Sequence, residues 1–224
     1  MEKAKERRDT KEFLFLTAER LFSERGFDAV SVRDITSEAG ANLAAVSYYF
    51  GSKDGLLLDI FMRRTRELSG ERVRMLREAE SKADGAPALR DVLLALLGPP
   101  VRWRDPASGR AVTIRFITRA ISEPTAKMRD ILESDVSHLR PFVAPLARAL
   151  PHLSDAEVCW RLHLTLGLLH QFNPASQARL RALSEGRCDG GDIEAMLARL
   201  IDFAVAGFIA PAETPLYSRS GGVR

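Results

Sequence analysis

With 224 residues, 46% of them hydrophobic, the chain can bury a sizeable core, as one large domain or as a small one joined to a medium one. Lys and Arg total 33 against 30 Asp and Glu, so the formal net charge of +3 supplies no overall field, and affinity for a polyanion has to come from local placement. The charged N-terminus MEKAKERRDTKE lacks a signal-peptide core, no apolar run reaches the ~18 to 20 residues of a membrane span, and Cys159 and Cys188 have no metal or redox spacing, so a cytoplasmic protein with free thiols is expected.

In chain order, Leu14, Ala18, Leu21 and Phe22 form one face of a helix that Gly26 ends. Ser31 opens a short segment to Ala39, where its hydroxyl caps exposed N–H groups and Asp34 suits the positive helix end. Gly40 breaks that segment, and Asn42 caps a third running through Val46 to Phe50. Gly51 and Ser52 mark another stop and start, from which Leu56, Leu57, Ile60, Phe61, Arg64 and Leu68 carry a long amphipathic helix toward Glu80. The stretch SKADGAP, 81–87, is a connection.

Beyond it the pattern predicts helices over 88–97, 111–122, 125–150 (interrupted at Pro141 and Pro145), 155–172 and 192–210, and no strand. Ser154 to Glu157 reads as a capping box, with Leu153 set to staple against Val158. The fold class is therefore all-α, with a poorly ordered tail over 211–224.

Two helices of about two turns each, joined by a tight glycine turn and braced by a preceding amphipathic helix, form a helix-turn-helix over 31–50. Such a unit lays its second helix in the major groove of DNA. Here that helix would present Asn42, Leu43, Ala44, Ala45, Ser47 and Tyr48: an amide for a base or phosphate, small side chains for close approach and thymine methyls, and hydroxyls, including that of Tyr49, for phosphates. Arg33 and Lys53 each add a cation beside a helix N-terminus that already favours anions.

The run FSERGFDAVSVRDITSEAGANLAAVSYYFGSKDGLL resembles the DNA-binding region of the TetR/AcrR family of transcriptional regulators, over roughly residues 10–60. The resemblance implies an N-terminal three-helix DNA-binding domain (1–55) and a larger helical ligand-binding and dimerisation domain (56–210). It departs from the family pattern at Ser47 and Tyr49, which puts the phosphate contact on Tyr48, and at Gly55, where a helix-favouring residue is usual and a looser helix start is expected.

The remaining candidates concern a ligand. Arg63, Arg64, Arg66, Arg72, Arg74 and Arg77 interleave with Glu67, Glu71, Glu78 and Glu80 and read as a solvated, salt-bridged face. Between 99 and 129 basic residues outnumber acidic ones, and Trp103, Arg115, Phe116 and Arg119, with His163 and His170, are candidate pocket residues for an anionic, partly apolar effector; a solvated face with snorkelling stems is the competing reading. His163 and His170 lie about 10.5 Å apart along a helix axis, too far to share an ion, so no metal and no cofactor is expected.

The resemblance further implies a homodimer through the two C-terminal helical patterns, a palindromic double-stranded operator, and a small-molecule effector that releases a repressor from it. Nucleoid association when DNA-bound and no membrane partner go with that reading. The alternative is an all-helical small-molecule-binding protein or enzyme without DNA binding, against which the chain offers no nucleophile with a paired base and no phosphate-cradling glycine loop.

Overall fold

The computed structural model describes residues 2–211, and all regular structure within them is helical. The order is α1 (Glu2–Arg25), α2 (Val32–Glu38), α3 (Ala44–Phe50), α4 (Lys53–Lys82), α5 (Leu89–Arg102), α6 (Ala111–Ser122), α7 (Ala126–Ser134), α8 (Arg140–Ala149), α9 (Asp155–Gly167), α10 (Pro174–Leu183) and α11 (Ile193–Ile209). Short 3-10 turns lie at Pro106–Ser108 and Leu168–Phe172. The tail expected over 211–224 falls, apart from Pro211, outside the described residues.

Three differences from the sequence pattern have local causes. α5 continues through Pro99 and Pro100 to Arg102. A proline inside a helix orphans the carbonyl four residues earlier, and the Leu96 carbonyl left free by Pro100 accepts instead from Arg72 Nε at 2.8 Å. The break near Pro141 falls before it, where Asp135 Oδ1 accepts from the Ser137 amide at 2.9 Å, and α8 runs on through Pro145. α10 has no predicted counterpart: it buries no residue, so it carries no apolar period, and its only signal is Asn173 capping Ser176 at 2.9 Å ahead of Pro174.

The helices enclose two cores. The second is built by Leu76 of α4 with Val92, Leu93, Leu96 and Leu97 of α5, Phe142 and Leu146 of α8, Val158 and Leu162 of α9, and Leu197, Leu200, Ile201, Ala204 and Phe208 of α11. Leu153 and Val158 both enter it, as a staple requires. Ser154 accepts from the Glu157 amide at 3.3 Å, but Glu157 turns to Arg161 rather than back to the cap, so only half of the predicted box forms.

The first core holds α1, α2, α3 and the first half of α4, and it also takes Trp103, Ile114, Phe116, Ile117, Ala120 and Met128. Apolar packing therefore does not divide at residue 55: α4 is continuous across that position, and α6 belongs to the same core as the N-terminal helices. Phe116 sits 5.8 Å from the ring of Phe27, which in turn packs edge-on against Phe22.

A buried carboxylate ties these helices together. Glu19 of α1 is 2% exposed; it accepts from Arg64 Nε at 2.8 Å and Nη2 at 2.6 Å on α4, and from Thr113 Oγ1 at 2.8 Å on α6. The remaining fork of Arg64 reaches Glu67 at 2.9 Å. Removing one partner of such a pair strands a charge without water, at a cost of about 3 to 5 kcal/mol. Arg64→Ala is therefore expected to lower stability by about 3 kcal/mol in chemical denaturation, and Glu19→Gln combined with Arg64→Met to recover part of that loss; equal losses in the two proteins would contradict the assignment.

Candidate nucleic-acid interface

α2 begins at a complete capping box. Ser31 Oγ accepts from the Asp34 amide at 3.1 Å, and Asp34 Oδ2 accepts from the Ser31 amide at 2.8 Å. The Ser31 hydroxyl also donates to Asp34 Oδ2 at 2.5 Å, and this bond first, then the one from the Ser31 amide, holds the Asp34 carboxyl below its ordinary value of 3.8. α2 then ends at Ala39, and Gly40 takes φ +62, a left-handed conformation that L side chains resist, as the chain turns toward α3. The Ala41 amide closes the turn on the Thr36 carbonyl at 2.9 Å.

Asn42 stands ahead of α3 and accepts from the Ala44 amide at 2.9 Å, so its side-chain oxygen is committed while its NH2 group stays free to donate. Val46 is fully buried beneath α3 alongside Ile35 of α2, and this inward stripe fixes which face points out. The outward face carries Asn42, Leu43, Ala44, Ser47 and Tyr48, all exposed. Leu43 is 58% and Tyr48 68% accessible, an unusual level for large apolar rings and chains. Ala45 is half-buried against the core.

Tyr49 packs partly into the core beside Phe50, and Tyr48 stands edge-on against it at 4.8 Å with its hydroxyl end free. Of the pair, Tyr48 is thus the exposed ring and Tyr49 the partly packed one. Arg33 is exposed on the first turn of α2. Lys53 differs from expectation: its Nζ donates to the carbonyls of Phe27 at 2.8 Å and Val30 at 2.9 Å, tying the start of α4 to the loop after α1. Its ammonium is largely spent on the fold, with at most one N–H left for a phosphate.

Gly55 also corrects an expectation. The start of α4 is held firmly, with Ser52 Oγ accepting from the Gly55 amide at 3.0 Å. A Cβ at position 55 would fall well inside contact distance of the Phe50 carbonyl oxygen, so glycine here permits the close return of α3 onto α4.

The six candidate pocket residues do not converge. Successive helix residues point about 100° apart, so with Phe116 fully buried in the first core, Arg115 is turned out to solvent. Trp103 is 3% exposed in that same core and donates its indole N–H to Glu71 at 2.9 Å. Arg119 lies over Gly26 of the N-terminal head and pairs with Glu123 at 3.2 Å. His163, edge-on to Trp160, and His170 are exposed elsewhere, on α9 and the turn after it. Among the described residues no group of side chains could hold a metal ion.

The arginines of 99–129 are largely engaged. Arg102 forks onto Glu194 at 2.7 and 2.9 Å, Arg104 donates to the Phe172 carbonyl at 2.7 Å, and Arg110 lies over the Trp103 ring and reaches Glu67. On α4 the solvated-stripe reading holds for Arg74, paired to Glu78, and fails for Arg64 and Arg72, which are drawn inward. The overlooked signal is the spacing Leu68, Arg72, Leu76, which sets an arginine in the apolar stripe.

Ser31→Ala should cost about 1 kcal/mol, read as a lower denaturant midpoint. A carboxyl whose value is depressed on folding stabilises fully above its ordinary value and loses that contribution as pH falls through the lowered one. The stability gap between wild type and Asp34→Ala is therefore expected to be constant above pH 3.8 and to close below it; a gap that widened on acidification would contradict the capping role.

Residues 14–60 match the family model described as bacterial regulatory proteins, tetR family, and residues 94–207 match the one described as the tetracyclin repressor-like C-terminal domain. CecR of Shigella flexneri, an HTH-type transcriptional dual regulator, is 28% identical over 160 residues, which cover 67% of this chain and 70% of that protein. YttP of Bacillus subtilis, named as an HTH-type transcriptional regulator, is 44% identical over 48 residues, only 21% of this chain and 23% of its own length.

A TetR family transcription regulator from Marinobacter aquaeolei VT8 superposes with TM-score 0.59 at 16% identity, covering 92% of this chain and 98% of the other. NalD, the secondary repressor of the MexAB-OprM multidrug efflux pump in Pseudomonas aeruginosa, does so with TM-score 0.54 at 18% identity, covering 92% and 98%. The C-terminal match alone spans about half the chain, and with the head built as above, this protein belongs to the TetR family and is a DNA-binding transcriptional regulator.

Proposed function

We propose that this regulator works as a cytoplasmic homodimer that binds a palindromic operator through α3 and represses until a small-molecule effector releases it, with no catalytic activity of its own. The observation that carries the reading is the exposed face of α3, which offers Leu43, Ala44, Ser47 and Tyr48 while Val46 anchors the helix from behind. Leu43 and Ala44 suit thymine methyls, Ser47 and the Asn42 amide suit base edges or phosphates, and Tyr48 and Arg33 suit phosphates. Ala45 and Tyr49 support that face from the core side, and Lys53 acts chiefly by holding the head together.

A second exposed apolar face supports the dimer. Trp160 and Leu164 lie one turn apart on α9 at 63% and 65% accessibility, and α11 presents Phe203 at 68% with Ala206 and Ala210 following on the same side. Arg161 fixes the two helices to one another, its Nη1 donating to the carbonyls of Phe208 at 2.6 Å and Ala210 at 2.7 Å at the negative end of α11. Exposed apolar side chains with small residues between, on two helices that touch, fit a self-complementary two-fold contact.

Two recognition helices enter successive major grooves only when about 34 to 36 Å apart, so an effector that favours another spacing lowers operator affinity by its ratio of affinities for the two states, a coupling of roughly 1 to 3 kcal/mol. Among the described residues no helix is long and apolar enough to cross a membrane.

Gel-shift titration on the chain's own upstream DNA tests this. Tyr48→Ala is expected to weaken binding by about tenfold, the equivalent of about 1.4 kcal/mol. Leu164→Glu combined with Phe203→Glu should give a monomer by sedimentation that no longer binds at the wild-type concentration. Undiminished binding by both variants would refute the reading.

A further inference from the structure

The stretch from Ala39 to Ser52, which holds α3 and both of its ends, contains no charged side chain. From it the first core takes Ala41, Ala45, Val46, Tyr49 and Phe50 and leaves out Leu43, a large apolar side chain standing in solvent. Leu43 already has helical dihedrals, φ -54 and ψ -34, so it continues the spacing of α3. Leu43, Ala44 and Ser47 therefore share one outward side with Tyr48.

That composition restricts what α3 can distinguish in a major groove. Guanine is picked out by an arginine or lysine on O6 and N7, and cytosine by a carboxylate on N4; α3 supplies neither. Adenine is picked out by an amide that donates to N7 and accepts from N6 side by side. Asn42 holds its oxygen back on the Ala44 amide at 2.9 Å, so it faces outward as a donor without the acceptor beside it. A lone donor suits guanine, adenine and thymine acceptors alike, and the Ser47 hydroxyl is equally permissive. The flanking cations lie off this face: Lys53 is held by the Phe27 and Val30 carbonyls, and Arg33 stands on α2, the helix that crosses the DNA backbone.

The groove feature left for the apolar side chains is the C5 methyl of thymine, the only methyl that an unmodified base presents there. We propose that α3 discriminates its operator chiefly by thymine methyl groups, with Leu43 as their main reader, Ala44 beside it, and Asn42 a permissive donor rather than an adenine reader. This deepens the reading of α3 as the helix that enters the groove, and it rests on that reading. Contact of this kind works by removing apolar surface from water, so it separates thymine from cytosine without any hydrogen bond to tell them apart.

The test is gel-shift titration of the full-length protein on two duplexes: one that it enriches from a random-sequence library, and the same duplex remade with deoxyuridine for every thymidine. Uracil pairs as thymine does and lacks only the methyl. Each methyl lost from an apolar contact is worth about fourfold, so over two half-sites wild type is expected to bind the uracil duplex at least about tenfold more weakly. Leu43→Ala, at an exposed position outside the core, should weaken binding of the thymine duplex and cut the thymine-to-uracil ratio to about fourfold or less. A thymine-to-cytosine change at a contacted pair should cost affinity, and 5-methylcytosine in the same place should restore part of it. That arm needs no variant and separates the methyl from any effect of uracil on duplex shape.

Equal binding of the two duplexes by wild type, an undiminished ratio in Leu43→Ala, or no recovery with 5-methylcytosine would overturn the proposal. Failure to enrich any sequence would sink the operator reading and this inference with it. Tight binding to an enriched sequence that ignores the loss of its methyls would sink the inference alone.

Discussion

One carboxylate sets the architecture. Glu19 lies out of reach of water, and a charge in that position persists only with partners that satisfy it fully. Those partners come from two different helices, Arg64 of α4 and Thr113 of α6, so α1 can keep its place only while α4 and α6 keep theirs. Around this polar knot, Phe116, Ile117 and Ala120 of α6 fill the same core as Leu14, Leu21 and Phe22 of α1. The DNA-reading head of this regulator therefore shares its core with a helix of the larger C-terminal domain. It includes α6 as one of its walls.

Several basic residues, among them Lys53, which the sequence offers as a phosphate contact, act as internal ties. Lys53 closes the loop after α1, Arg161 caps α11, Arg64 neutralises Glu19, and Arg72 takes up a carbonyl freed by a proline. Lys53 and Arg161 occupy carbonyls that a turn and a helix end would otherwise leave unsatisfied, whereas Arg64 and Arg72 serve groups in the middle of helices.

The head was legible because its determinants are local. Ser31 with Asp34, Gly40 at the turn, Asn42 before α3 and Ser52 before α4 are each decided within about four residues, and all four act as their types require. What could not be read depends on partners distant in sequence. Lys53 is indistinguishable from a phosphate contact until Phe27 and Val30 arrive beside it. Phe116 and Trp103 are aromatic candidates for a pocket until the first core claims them, and Arg119, one turn from Arg115 on the same side of α6, is taken up by Gly26 and Glu123 while Arg115 stays exposed. α10 escaped notice because a helix with no buried side has no period to detect.

If α6 is truly a wall of the head, the two must open together. Native-state hydrogen exchange followed against denaturant measures this directly, amide by amide. The account predicts that amides in the middle of α6, around Phe116 and Ile117, merge into the same opening isotherm as those of α1 around Ala18 and Glu19. Exchange of α6 at lower denaturant, in step with α5 and α11 while α1 stays protected, would contradict it.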